Sequence, residues 1–164
     1  MNTQERNEKI ELYGLGFSLL KAALAEVPAE AMKFKPGPTD WSVYEVIIHI
    51  ADSESNAALR ARKLIVEPGG ILMGYDQAQW ADVLNYHDHN LEDALEVTRL
   101  ARKTTYELIK RQPEEVFTHA IVHPEMSELY TFDKWIDIYS RHIPGHIEQI
   151  RENVKKYTST QGNK

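Results

Sequence analysis

Ile10, Tyr13, Phe17, Leu20 and Leu24 follow one another at alternating spacings of three and four, with polar residues between them. That period is the seam of an amphipathic helix and predicts a first helix over about Asn7–Glu26. Pro28 and then Lys35-Pro-Gly-Pro38 interrupt it with a loop. Ser42 and Glu45 stand in the Ser-x-x-Glu order of a capping box ahead of an apolar run, so a second helix starts after Ser42. It continues to about Val66, where Pro68-Gly-Gly70 ends it. From Ile71 to Asn90 the pattern weakens, and Trp80, Val83, Leu84 and Tyr86 fit a short helix.

A third long helix is predicted over Leu91–Gln112, capped by Asn90 and halted before Pro113. The connection Pro113–Tyr130 is longer than most helix-to-helix links, with room for a short extended piece, and suits the mouth of a binding site. The last helix is predicted over Phe132–Lys156 with Thr131 as cap, and Pro144-Gly145 is expected to kink it. These patterns describe one all-α domain over residues 1–157, followed by a polar tail, Thr158–Lys164, expected to be disordered.

A chain of 164 residues with 42% hydrophobic and 27% charged residues has the balance of a soluble globular protein. No apolar run approaches the ~20 residues that span a bilayer, and the first residues lack the apolar core of a signal peptide, so a cytoplasmic protein without a membrane partner is expected. The formal net charge is −6 and the basic residues are scattered, which argues against nucleic acid as a partner. Cysteine is absent, so any metal is held by nitrogen and oxygen.

His142 and His146 lie four apart on the last helix, which puts both imidazoles on one face, roughly 6 Å apart. With His146 at zero on a helical wheel, Trp135, Tyr139, His142 and Ile150 fall within ~40° of it and Pro144 falls opposite. The pair is therefore on the core-directed face, as a satisfied buried pair or as two metal ligands. On the second helix Glu45, His49, Asp52, Ser53 and Asn56 cluster on one side. They form either a solvated face or a polar strip facing a cavity, with His49 as a ligand and Glu45 or Asp52 orienting it or carrying protons. His87 and His89 read as a solvated turn. His123-Pro-Glu125 either lines the mouth of a site or closes a turn. The His-Glu-x-x-His, Gly-x-Ser-x-Gly and phosphate-cradling glycine motifs are missing, which removes zinc-peptidase, serine-hydrolase and nucleotide-dependent readings.

Trp41-Ser-Val-Tyr-Glu-Val-Ile-Ile-His49-Ile-Ala-Asp-Ser-Glu54, His123-Pro-Glu125 followed by Thr131-Phe-Asp, and Tyr139-x-x-His142-x-x-x-His146-Ile-x-x-Ile150 together resemble the DinB/YfiT-like superfamily of metal-dependent enzymes. The resemblance implies a four-helix bundle with up-down-down-up connectivity, often a homodimer. It implies a divalent ion, zinc or nickel, held by three histidines that fall here on His49, His142 and His146. It implies chemistry on a small-molecule substrate with a coordinated water or a low-molecular-weight thiol cosubstrate, as thiol transferase or hydrolase; the strip on the second helix, read by itself, supplies Glu45 and Asp52 as the candidate catalytic carboxylates. Gly145 and Gln149 stand where additional histidines often occur in YfiT-like members. The competing expectation is a non-catalytic dimeric bundle with a structural metal or none, acting in partner binding.

Overall fold

The apolar seams of four long helices meet in a bundle whose order follows from which ends touch. In the computed structural model, which describes residues 1–162, the helices are α1 (Thr3–Leu24), α2 (Val43–Val66), α3 (Gln77–Val83), α4 (Leu91–Ile109) and α5 (Phe132–Gln161). Leu20 near the end of α1 packs with Val43 and Val46 at the start of α2, so these two run antiparallel. Ala94 near the start of α4 packs with Ile48 and Ala51 of α2, and Arg62 further along α2 donates to Thr105 further along α4 at 3.3 Å, so α2 and α4 run parallel. Lys9 of α1 lies 2.6 Å from Asp137 of α5, near the start of each, so α1 and α5 run parallel. The chain direction is therefore up-down-down-up, with one long crossover between α2 and α4 that carries α3.

The caps explain most of the helix boundaries. Ser42 accepts from the Glu45 amide while the Glu45 carboxylate accepts from the Ser42 amide, the reciprocal box that the sequence predicts. Helix α1 begins four residues before the predicted start at Asn7, because Asn2 accepts from the Glu5 amide at 2.8 Å and caps a polar first turn. Helix α4 stops at Ile109, and tight amide bonds from Arg111 to Leu108 and from Gln112 to Ile109 close its end. Helix α5 passes unbroken through Pro144 and continues to Gln161. The predicted tail is thus helical from Thr158 to Gln161, where the Thr158, Ser159 and Thr160 hydroxyls bond back to carbonyls of the preceding turn. Asn163 and Lys164 lie outside the described residues.

The long connection after α4 holds the extended piece: β1 (Ala120–Ile121) pairs antiparallel with β2 (Tyr130–Thr131). The same segment also pairs with the α2-to-α3 link, through Leu72 to Val122 at 2.8 Å and Val122 to Gly70 at 2.9 Å. The two longest connections are thereby stitched into one wall over the bundle.

The core is divided along the bundle. One apolar cluster gathers Tyr13, Ala57, Leu64, Ile109, Phe132, Trp135 and Tyr139; the other gathers Leu20, Val46, Ile47, Ile50, Ile143 and Ile147. Along α2 the residues between those two sets include Ser53 and Glu54, along α5 Ser140 and His142, along α1 Gly16. A buried polar layer separates the two hydrophobic halves, and it contains the chemistry. Among the described residues no helix is long and apolar enough to cross a membrane.

Candidate metal centre

Three imidazoles close on one another at the edge of this layer. His49 comes from α2, and His142 and His146 come from successive turns of α5; one ring nitrogen from each lies within 4.8 Å of the others. Ring centroids are 4.6 Å apart for His142 and His146, 4.8 Å for His49 and His146, and 5.4 Å for His49 and His142. The unbroken helix at Pro144 preserves the four-residue spacing on which this depends. Trp41 packs on His49 at 4.7 Å and Tyr139 stands 5.9 Å from His142, so aromatic walls flank the group.

The polar strip of α2 faces inward. His49 is 0% exposed, and both of its ring nitrogens lack a hydrogen-bond partner, as does Nδ1 of His142. A buried imidazole with two orphaned nitrogens loses its hydration without replacement, a cost of a few kcal/mol that a coordinated ion reduces by occupying one of the two. The Nε2 atoms of His142 and His146 face each other at 3.2 Å. Two nitrogens bonded to one tetrahedral zinc at ~2.0–2.1 Å would sit about 3.3 Å apart, so the bite fits. A satisfied core pair would account for that one contact and leave His49 unexplained. The donor set suits a divalent ion of borderline softness.

Burial keeps all three rings neutral, as ligands must be. Desolvation, helped by the neighbouring His146, lowers His49 to about 3. Desolvation with His146, His49 and Arg102 nearby pushes His142 well below the ordinary histidine value. His146 is also lowered by burial, against the opposing pull of Gln149. Gln149, one turn on, accepts from His146 Nδ1 through its amide oxygen at 2.8 Å. With the proton fixed on Nδ1, the Nε2 lone pair is free for a metal. Gln149→Ala is therefore expected to weaken metal binding ~10–100-fold with little change in fold, read by competition with a chromophoric chelator.

The sequence-predicted carboxylates stand outside the convergent group. Glu45 accepts from the Ser42 amide at 2.7 Å and from Lys35 at 2.9 Å, and those contacts hold it well inside the capping box with a lowered pKa despite partial burial. Asp52 accepts from Tyr86 at 2.6 Å. His87 is tied down more firmly than a solvated turn requires, with Nε2 2.8 Å from the Ser42 hydroxyl. His123 closes a turn by accepting from the Glu125 amide at 3.3 Å, yet is only 8% exposed beside Tyr130, so both of its expected roles are compatible with its position.

Sequence reasoning passed over Glu54, Arg102, Arg60 and the role of Gln149. Arg102 reaches across the bundle to pair with Glu54, and donates to the Tyr13 carbonyl at 2.6 Å and the Tyr139 carbonyl at 2.9 Å. Gly16 makes room for it, since a methyl group there would lie 2.5 Å from Arg102 Nε. Glu54 Oε1 is 3.9 Å from His142 Nδ1, a charge directly behind a metal-facing ring. Only Gln149 had a signal in the sequence, its spacing of three from His146.

A profile of the DinB superfamily matches residues 16–150. A protein of Oceanobacillus iheyensis, provisionally named a metal-dependent hydrolase, is 28% identical over 140 residues, covering 84% of this chain and 79% of its own length. YfiT of Bacillus subtilis, with the same provisional name, is 24% identical over 140 residues, covering 79% of each. The solved structure of that YfiT, described as having an unusual four-helix bundle topology, superposes with a TM-score of 0.88 over 96% of this chain and 90% of that one, at 19% identity. A mycothiol-dependent maleylpyruvate isomerase superposes with a TM-score of 0.71 at 13% identity, over 92% of this chain and 63% of that one.

Proposed function

Since this chain belongs to the DinB superfamily, we propose that it is a divalent-metal-dependent enzyme acting on a small molecule, with zinc or nickel held by His49, His142 and His146. The observation that carries this reading is the buried His49 ring, with two unpartnered nitrogens, beside the mutually facing pair on α5. When bound, such an ion acidifies a coordinated water or thiol, and three protein ligands leave a position for one.

The chain's own residues supply the rest. Burial keeps the imidazoles neutral, and Gln149 sets the His146 tautomer. Trp41 and Tyr139 wall the site against bulk water, which strengthens every charge interaction inside it. Glu45, committed to capping α2 and to Lys35, positions the head of the helix that bears His49. Asp52, three residues past His49, is the better-suited carboxylate for moving a proton.

Hydrolysis is the reading that the names of the sequence relatives support. Transfer to a low-molecular-weight thiol is a second reading, supported by the shared fold of the mycothiol-dependent isomerase. The metal-loaded chain is expected to turn over either esters and amides without thiol, or chloro-aromatic or epoxide electrophiles only when a cellular thiol is added. Chelation should abolish that turnover and the returned ion should restore it. A chain with one bound ion and no turnover in either panel would favour a structural metal and partner binding.

A further inference from the structure

Arg60 is the cation in this polar layer that its neighbours leave uncompensated. Eleven residues after His49, it falls within ~20° of the same face of α2. Its guanidinium donates to the Tyr139 hydroxyl at 3.1 Å and to the Met73 carbonyl at 3.1 Å, while its buried Nε has no partner. Among the described residues no carboxylate is within ion-pair distance of it, whereas Arg102 in the same layer has Glu54.

Two further donors surround this guanidinium. The Tyr75 ring lies 5.9 Å from Arg60 Cζ, and its hydroxyl is buried without a hydrogen bond of good geometry. Tyr130 is 1% exposed, and its hydroxyl, beside Arg60, also lacks a hydrogen bond of good geometry. Tyr75 is delivered by the link before α3, which crosses the later connection so closely that a methyl on Gly74 would lie 2.6 Å from Glu125 Oε1. His123 packs on Tyr130 at 5.5 Å and closes the far side. A cluster of donors without partners of good geometry, around a cation with no paired carboxylate, calls for a ligand made of acceptors with a single negative charge.

The cluster adjoins the metal centre. Tyr139, which holds Arg60, stands 5.9 Å from His142, and Ser53, beside Tyr75, has its hydroxyl 3.3 Å from His142 Nε2. We propose that Arg60, Tyr75 and Tyr130 form a carboxylate-binding subsite, and that the molecule whose heteroatom meets the metal bears a carboxylate a short linker away. This inference rests on the metal-enzyme reading above and narrows its substrate class. Eleven residues rise ~16 Å along a helix and a long side chain leaning toward its N-terminus takes back part of that, which leaves room for a linker of about two to four methylenes.

The test uses the full chain loaded with cobalt(II), whose thiolate charge-transfer band reports metal binding directly. The probes are ω-mercaptoalkanoates of increasing length, each compared with the mercaptoalcohol of matching length. The acid of best length is expected to bind about tenfold or more tightly than its alcohol, as a charge-assisted bond to guanidinium implies. Arg60→Gln should erase that preference while leaving the alcohol's affinity within about twofold, Arg60→Lys should keep part of it, and Tyr75→Phe should reduce it a few-fold. The unchanged alcohol also shows that the variants fold. Equal binding of acid and alcohol, or a preference that survives Arg60→Gln, overturns the subsite and leaves the metal centre standing. Absence of bound cobalt removes the metal reading and the subsite with it, whereas bound cobalt that gives no band with any thiol removes the subsite alone.

Discussion

His49→Ala is expected to lower the affinity for zinc or nickel by on the order of 10²–10³-fold and to abolish turnover. The size follows from spreading the ~10–16 kcal/mol of a four-ligand structural zinc site over its ligands, which assigns ~2.5–4 kcal/mol to each. His49 is also the only one of the three from α2, so without it two imidazoles of one helix remain, and their contact at 3.2 Å suffices only to satisfy each other. Removing the ring should cost the metal-free protein little or even stabilise it, because it deletes two buried orphan nitrogens. A metal titration together with a urea melt of the apo-protein checks both halves. Loss of stability in the apo variant without loss of metal affinity would mark His49 as a packing residue.

Arg102→Met is expected to produce the largest loss of stability from a single substitution, about 3–5 kcal/mol, since it strands the Glu54 charge at 0% exposure. For a domain of this size that corresponds to roughly 6–20 °C in melting temperature. Four groups lose a partner at once: the Glu54 carboxylate, the Tyr13 and Tyr139 carbonyls, and the Tyr13 ring on which the guanidinium stacks at 4.0 Å. Adding Glu54→Gln should recover part of the loss, because the second change removes the uncompensated charge. Denaturant melts of the two single variants and the double variant measure this coupling directly. Additive losses would mean that Glu54 and Arg102 do not act as a pair.

The parts of the fold that were legible in the sequence are those that local chemistry determines. Ser42 and Glu45 announced the start of α2 because a capping box is specified within four residues. The beginning of α1 was missed because Asn2 and a polar first turn carry no apolar periodicity. The helical end of α5 was missed because Thr158, Ser159 and Thr160 read as loop formers, yet their hydroxyls bond the preceding carbonyls.

The site was legible only in halves. The spacing of His142 and His146 fixes their shared face, and the aromatic residues on that face point it toward the core. The strip on α2 was ambiguous because a solvated face and a face turned toward buried charge have the same pattern. Its counterpart, Arg102, stands in α4 among residues that look like an ordinary charged surface. Long-range pairing of that kind leaves no local trace, and neither does the uncompensated state of Arg60.

A crystal structure of the zinc-loaded chain measured at the zinc absorption edge tests the three-histidine centre most directly. One anomalous peak is expected about 2.0–2.1 Å from a single nitrogen of each of His49, His142 and His146, with a coordination position left for a small molecule. A peak bound by His142 and His146 while His49 stays out of reach, or no peak between the three rings, would contradict it.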